Sequence, residues 1–277
     1  MRNLYFALTW LAIALAAPAK AQPTVSPDEI VVESTKTFVQ TYQSEGLTHE
    51  PILVVALHGD LPNASYQYEF ARIVAENSKN TISVGMLRPG YSDREGRSSD
   101  GVMGETVGDN YDATRINQIA AAIQQLAAHY NASEIILAAH SGGAAIAAKL
   151  VAVYRDLVDH AVIVSCPCNV TKWRKDMYEM TEFEGFNGPL DVVSPVDLVS
   201  DISDKLTISI FVGRSDNVAR PYLSQEYLEA LRAQGKTAEL TLLEGEHNIF
   251  LHRQIFISLL DKISEMNGEL SAESAAQ

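Results

Sequence analysis

Continuous apolar runs alternate with segments whose apolar positions recur every three or four residues along most of this chain. Continuous runs between turn residues are typical of strands buried on both faces, and the longer spacing is typical of amphipathic helices. The pattern predicts strands at residues 29–40, 51–59, 81–87, 133–139, 159–165, 206–213 and 237–245. It predicts helices at residues 63–77, 110–130, 142–154, 222–234 and 249–263, with Asn63 as the N-cap of the first.

This order of elements predicts an α/β fold with a mostly parallel central sheet and helices on both faces. No repeat of fixed period divides residues 22–277, so we expect them to form one domain. Within it, residues 169–204 form a small lid-like insertion after a late strand, and residues 268–277 a flexible tail. The insertion is too short for a large cap.

Aromatic and sulfur-containing side chains are frequent in the predicted insertion. They fit a pocket lining and a cover over the sheet equally well, and they are Trp173, Met177, Tyr178, Met180 and Phe183.

The first 21 residues have the pattern of an export signal. Arg2 precedes the apolar run LYFALTWLAIALAAPA, and the small-x-small ending AKA comes directly before Gln22. We expect cleavage after Ala21, and an N-terminal membrane anchor is the alternative interpretation of the same run. A cleaved signal makes the protein secreted or periplasmic, with no membrane span left in the mature chain.

The chain is acidic, with a formal net charge of −14 that becomes −16 when Arg2 and Lys20 leave with the signal. Nucleic acids and anionic membrane surfaces bind clustered Lys and Arg, so this charge argues against both as partners. It leaves a small molecule or a short peptide as the expected ligand.

Cys166 and Cys168 are the only cysteines, and one residue separates them. In an oxidising compartment a disulfide between them is possible, and so are two free thiols. No further Cys or His residues cluster nearby in the sequence, so the pair is a weak candidate for metal binding. We expect neither a metal nor an organic cofactor.

Chemically reactive side chains follow four of the predicted strands. These segments are His58-Gly59-Asp60, Ala139-His140-Ser141-Gly142-Gly143, Gly213-Arg214-Ser215-Asp216 and Glu244-Gly245-Glu246-His247. Parallel strands collect their ligand site at their carboxyl ends, so we expect the four segments to meet at one edge of the sheet.

Ser141 lies where a strand changes sharply into a helix. Such a turn strains the backbone of the serine and needs small residues two positions before and after it, which Ala139 and Gly143 provide. The helix that begins near Gly142 points N–H groups and its positive dipole end at the serine oxygen. Taken alone, this short motif is more typical of an ordinary tight turn. Its place between a strand and a helix, together with Asp216 and His247 after later strands, favours an exposed nucleophile.

With these segments the chain resembles the α/β-hydrolase superfamily over nearly all of its mature length. AHSGG is similar to that family's nucleophile elbow, with Ala139 in place of the usual first glycine, and LHGD to its oxyanion loop. RPGYSDR resembles a turn found after the next strand, and VGRSDNVA the family's acid loop.

The resemblance implies a catalytic triad in the order Ser141, Asp216 and His247, with Ser141 as nucleophile, His247 as general base and Asp216 orienting the imidazole. It also implies that the backbone N–H groups of Asp60 and Gly142 form an oxyanion hole.

Several nearby residues have simpler interpretations. Asp197 and Asp204 are alternative acids, but both precede the strand that Asp216 follows. His140 is expected to point away from the serine and to pack, and His58 to donate to backbone within the oxyanion loop. Asp60 fits a helix cap, and its carboxylate also fits a site that prefers cationic substrates.

Ester hydrolysis through an acyl-enzyme is the expected reaction, because acyl transfer is the basic reaction of such a serine. A peptidase or amidase uses the same residues and stays open as the alternative. A non-catalytic ligand-binding protein of the same fold is a third possibility, which the intact serine and histidine disfavour.

Overall fold

The computed structural model describes residues 24–268; the predicted signal and nearly all of the predicted tail lie outside them. The strands are β1 (Thr24–Val25), β2 (Glu29–Val32), β3 (Thr35–Gln43), β4 (Ile52–Leu57), β5 (Thr81–Met86), β6 (Glu134–His140), β7 (His160–Val164), β8 (Thr207–Gly213) and β9 (Thr237–Leu243). The helices are α1 (Tyr66–Asn77), α2 (Ala113–Tyr130), α3 (Gly142–Val153), α4 (Val170–Thr181), α5 (Pro221–Ala233) and α6 (Arg253–Met266).

The strands form one nine-stranded sheet in the order β1-β2-β3-β5-β4-β6-β7-β8-β9. The pairings of β1 with β2, β2 with β3 and β3 with β5 are antiparallel, and every later pairing is parallel. The predicted mostly parallel sheet is confirmed. Its six parallel strands end at one edge, which brings together the loops that follow them.

Helices cover both faces of the sheet, because every position of central strands such as β4 and β5 is buried and successive side chains point to opposite faces. In β4, Leu53, Val55 and Leu57 join a core that includes α2, α3 and α5, while Ile52, Val54 and Ala56 join a second core with α1 and α6. A strand apolar on both faces is stable only between two such layers. None of the helices described is long and apolar enough to cross a membrane.

The prediction of a single strand at residues 29–40 is wrong, because this segment forms two strands, β2 and β3, joined as a hairpin. Glu33 and Ser34 both have positive φ, 49° and 71°, and they connect the paired residues Val32 and Thr35. Two consecutive residues with positive φ make the tight turn whose twist suits a two-residue hairpin. Neither residue is a glycine, so the sequence carries no turn signal there.

Three helices begin later than predicted, and they are α1, α2 at Ala113 instead of residue 110, and α6. Asn63 does not cap α1, since its φ of 57° places it in a turn after Pro62 and the helix begins at Tyr66. At α6 the imidazole of His252 accepts a hydrogen bond from the Gln254 N–H, and the helix begins at Arg253. A side-chain cap marks the start of α6, whereas the Ser65 side chain makes no cap hydrogen bond at α1. Apolar spacing reveals neither start.

The segment predicted as a small lid contains α4 and two 3-10 helices, Glu184–Phe186 and Pro195–Asp201. Trp173 and Met177 are buried in the first core, whereas Met180 and Phe183 are exposed. For Trp173 and Met177 this burial favours a cover over the sheet. The role of the segment as a lid stays a prediction.

Candidate active site

Ser141 occupies the junction between β6 and α3 with a strained backbone. Its φ of 54° and ψ of −123° lie in a region that side-chain-bearing residues rarely adopt. A Cβ at Gly143 would overlap the His58 carbonyl, and one at Gly59 would come within 2.8 Å of the Ser141 Cβ. The serine is thus presented at a turn that only small neighbours allow, as the sequence pattern indicates.

His247 and Asp216 lie in line with the serine. The distance from Ser141 Oγ to His247 Nε2 is 2.9 Å, and His247 Nδ1 is 3.0 Å and 3.1 Å from the two Asp216 carboxylate oxygens. An ionised carboxylate can only accept, so Nδ1 carries the proton and Nε2 accepts from the serine hydroxyl. This arrangement can move the serine proton onto the imidazole.

The Asp216 carboxylate is held by the backbone that follows it. Its Oδ1 accepts hydrogen bonds from the N–H groups of Val218 and Ala219 at 2.9 Å and 2.8 Å, and the side chain is buried. The alternative acids are engaged elsewhere: Asp197 accepts from the Ser194 N–H, and Asp204 pairs with Lys236. Of the three acids, only Asp216 contacts His247.

The proposed oxyanion donors meet beside the serine. A Cβ at Gly142 would lie 2.5 Å from the Asp60 Cγ, so the Asp60 side chain rests directly on the Gly142 backbone. Gly142 is the first residue of α3, where an N–H has no acceptor within the helix. Among residues 24–268, none accepts a hydrogen bond from the Asp60 N–H. Both donors are available to a ligand.

His140 does not simply pack away from the site. Its Nε2 donates to the His247 carbonyl at 3.0 Å, and its Nδ1 accepts from the Tyr66 hydroxyl at 2.8 Å. Tyr66 in turn accepts from the Gly59 N–H at 2.5 Å. His140 does pack, because its buried ring stacks on Phe250, but the expectation missed that it also joins the histidine loop to the oxyanion loop.

Burial keeps this bridge neutral. It lowers the pKa of His140 to about 4 together with the nearby His247 ring. The pKa of His58 is lowered to about 3 by burial and by the Arg88 charge. His58 accepts from the Arg88 N–H at 3.0 Å and donates to the Gly59 carbonyl at 2.7 Å, so its predicted structural role is confirmed.

The Asp60 carboxylate is not a helix cap. It is surrounded by Arg88 and Tyr91, which belong to the segment RPGYSDR but were given no role in the site, and by Tyr111. Oδ1 accepts from Arg88 Nη1 at 2.9 Å and from the Tyr91 hydroxyl at 3.2 Å, and Oδ2 accepts from the Tyr111 hydroxyl. Arg88 directly follows β5 at the same sheet edge as the four predicted segments. The rule applied to those segments would have found it, whereas nothing in the sequence points to Tyr111.

Cys166 and Cys168 form a disulfide between the end of β7 and α4, which resolves the alternative left open by the sequence. Among the residues described, no group of three or more His, Cys, Asp or Glu side chains is arranged to hold a metal ion.

Residues 52–191 match the family model for the alpha/beta hydrolase fold. The match spans about half of the chain and includes Asp60, Arg88 and Ser141. The chain belongs to the α/β-hydrolase fold family. No curated protein matches the sequence.

Solved structures share this fold at low identity. An esterase from Pyrococcus furiosus is 15% identical with a TM-score of 0.64, over 92% of this chain and 96% of its own. The ferulic acid complex of Est1E from Butyrivibrio proteoclasticus is 16% identical with a TM-score of 0.62, over 88% and 99%. An acylaminoacyl peptidase from Pyrococcus horikoshii is 14% identical with a TM-score of 0.64, over 83% of this chain but 38% of its own. These likenesses concern the fold.

Proposed function

We propose that this protein is a serine hydrolase that cleaves carboxylic esters through an acyl-enzyme on Ser141. The observation that carries the proposal is the hydrogen-bonded line from Ser141 through His247 to Asp216, with the serine on a strained turn. A serine hydroxyl is a weak nucleophile without a base, and this line supplies the base and its orienting carboxylate.

The reaction follows from these contacts. Ser141 Oγ attacks the ester carbonyl carbon while its proton passes to His247 Nε2. The resulting oxyanion is stabilised by the N–H groups of Asp60 and Gly142. His247 then returns the proton to the departing alkoxide, which leaves as an alcohol. A water molecule then attacks the acyl-enzyme while its proton passes to His247. The bond to Ser141 Oγ breaks, His247 returns the proton to that oxygen, and the carboxylic acid is released.

The first experiment is labelling with a small fluorophosphonate, read as the mass and position of the adduct. The expected result is one adduct on Ser141, absent from Ser141→Ala. Ser224→Ala is the matched control, because this serine is buried in α5 and its hydroxyl has no partner among the described residues. Its labelling should equal that of the wild type. An unlabelled, folded wild type would contradict the proposal and favour a non-catalytic binding protein.

A panel of esters and short peptides then decides between ester and amide cleavage. The P. furiosus esterase and the P. horikoshii acylaminoacyl peptidase both have this fold, so the fold is compatible with either bond. We expect esters to be hydrolysed faster, because an alkoxide leaves more readily than an amine.

We also propose that the protein is exported. The signal pattern of residues 1–21 supports this, and a disulfide between Cys166 and Cys168 is typical of an oxidising compartment. The intact mass of the secreted protein should match a chain that begins at Gln22. A mature protein that retains Met1 would overturn the cleavage.

A further inference from the structure

An ion pair between the buried Arg88 and the partly exposed Asp60 lies beside the proposed oxyanion hole. Arg88 is 1% exposed, and its guanidinium contacts the Asp60 carboxylate at 2.9 Å and the His58 carbonyl at 3.3 Å. Burial alone would lower the pKa of Arg88, but the neighbouring Tyr91, Asp60 and Tyr111 raise it. The guanidinium therefore stays protonated, and it bridges the His58 carbonyl and the Asp60 carboxylate within the oxyanion loop.

The pair affects where the two oxyanion donors lie. Asp60 supplies one donor through its own peptide, and its carboxylate rests on the backbone of Gly142, which supplies the other. Three side chains bind that carboxylate, and they are Arg88, Tyr91 and Tyr111. Fixing the carboxylate therefore fixes the Asp60 peptide relative to Gly142.

The same geometry poses an electrostatic problem. The tetrahedral intermediate carries a negative oxygen beside Asp60 and Gly142, and the Asp60 carboxylate is a second negative charge within the same loop. Repulsion between like charges is strong where little water screens it. Arg88 supplies the opposite charge on the buried side of the carboxylate.

We infer that Arg88 is a positioning residue of the oxyanion hole, which orients the Asp60 peptide and neutralises the Asp60 carboxylate so that the oxyanion can form next to it. This inference rests on the proposed function. It assigns the Asp60 carboxylate to the structure of the site instead of to recognition of cationic substrates, since Arg88, Tyr91 and Tyr111 already engage both of its oxygens.

The test is a double-mutant cycle with Arg88→Met, Asp60→Asn and the double variant, measured as kcat and KM on a neutral ester. Arg88→Met leaves an unpaired carboxylate, and we expect kcat to fall about a hundredfold with KM changed by less than about threefold. Asp60→Asn keeps the shape, and we expect a loss of about tenfold. The double variant should be at least about tenfold faster than Arg88→Met.

Rescue of this kind separates charge neutralisation from a merely structural role. A double variant no faster than Arg88→Met would overturn the inference. A wild type that prefers cationic esters and an Asp60→Asn variant that prefers neutral ones would also overturn it, because the carboxylate would then recognise substrate. Arg72→Met on α1 is the matched control, because Arg72 pairs only with the exposed Glu69 and Glu76. It should leave kcat unchanged.

Two further measurements keep the outcome clear. Should Arg88→Met not fold, Tyr111→Phe removes one partner of Asp60 without leaving a buried charge. We expect it to lower kcat by about threefold to tenfold at unchanged KM, and wild-type kcat there would contradict the inference. Fluorophosphonate labelling of wild-type Ser141 tests the proposed function separately. If Ser141 is labelled but the losses of the two single variants simply add in the double variant, the role of Arg88 is contradicted and the proposed function is not.

Discussion

Two carboxylates beside Ser141 are held in different ways. Asp216 is bound by the N–H groups of Val218 and Ala219, two and three residues further along the chain. Asp60 is bound by Arg88 and Tyr111, which are 28 and 51 residues away. A carboxylate held by its own loop can be recognised in a short motif, whereas one held by distant side chains becomes visible only in the folded protein.

The largest expected effect tests the locally held carboxylate. In Asp216→Asn, the N–H groups of Val218 and Ala219 will retain the amide oxygen, so the amide nitrogen will face His247 Nδ1. Nδ1 must then accept, and Nε2 becomes protonated and cannot take the serine proton. We expect kcat to fall by about 10⁴-fold, as for the same substitution in other triads, with the protein still folded.

Steady-state kinetics with circular dichroism as the folding check measures this effect. Asp197→Asn is the control, because that carboxylate only caps the 3-10 helix Pro195–Asp201. A loss below about tenfold in Asp216→Asn would mean that another group orients the imidazole.

A smaller effect tests the bridge that Tyr66 and His140 form between the oxyanion loop and the histidine loop. Tyr66→Phe leaves the Gly59 N–H without its acceptor and His140 without its donor. We expect kcat to fall about tenfold, because both the oxyanion loop and the carbonyl side of His247 lose a fixed partner.

Tyr154→Phe is the matched control, since its hydroxyl contacts Asn117 at the surface. If Tyr66→Phe kept the kcat of this control, the oxyanion and histidine loops would be positioned independently.

The next prediction concerns Arg174 of α4, which lies in the lid-like segment. Its guanidinium donates to the carbonyls of Val107, Gly185 and Asn187. We expect Arg174→Met to raise KM by about threefold and to lower the free energy of unfolding by about 2 kcal/mol, because three carbonyls lose a charged donor.

Chemical denaturation and steady-state kinetics measure both quantities. Lys175→Met, one residue away, is the control, because Lys175 is exposed and contacts only Glu179 at 3.9 Å. Equal behaviour of the two variants would show that Arg174 does not hold this segment.

The sequence was sufficient for the alternation of strands and helices along most of the chain and for the residues that follow the parallel strands, because burial on two faces and strand-end chemistry both leave local patterns. Ser141, Asp216 and His247 come together for that reason. The hairpin at Glu33 and Ser34 and the bridge through His140 were not predictable, since each depends on backbone dihedrals or on partners distant in the sequence. Side-chain contacts between loops leave no such pattern.

The smallest expected effect concerns the pH dependence of the free energy of unfolding. It compares His160, which lies outside the site, with His58 and His140 in the site. His160 at the start of β7 is buried, and burial lowers its pKa to about 4, with a further contribution from Lys262. An unfolded chain protonates such a histidine near pH 6.5, so the unfolded state binds more protons between about pH 6.5 and pH 4. The stability present above pH 6.5 is therefore lost as the pH falls, and His58 and His140 add to this loss in the same direction.

We expect His160→Gln to reduce the slope of unfolding free energy against pH by about 1.4 kcal/mol per pH unit in that window, with kcat unchanged at pH 7. Urea denaturation at several pH values between 4.5 and about 7 measures the slope. The variant removes a group whose Nδ1 contacts only Thr207, so the site keeps all of its contacts. An unaltered slope would mean that acid instability arises in the oxyanion loop and the His140 bridge alone, where protonation also breaks the contacts that position the two sides.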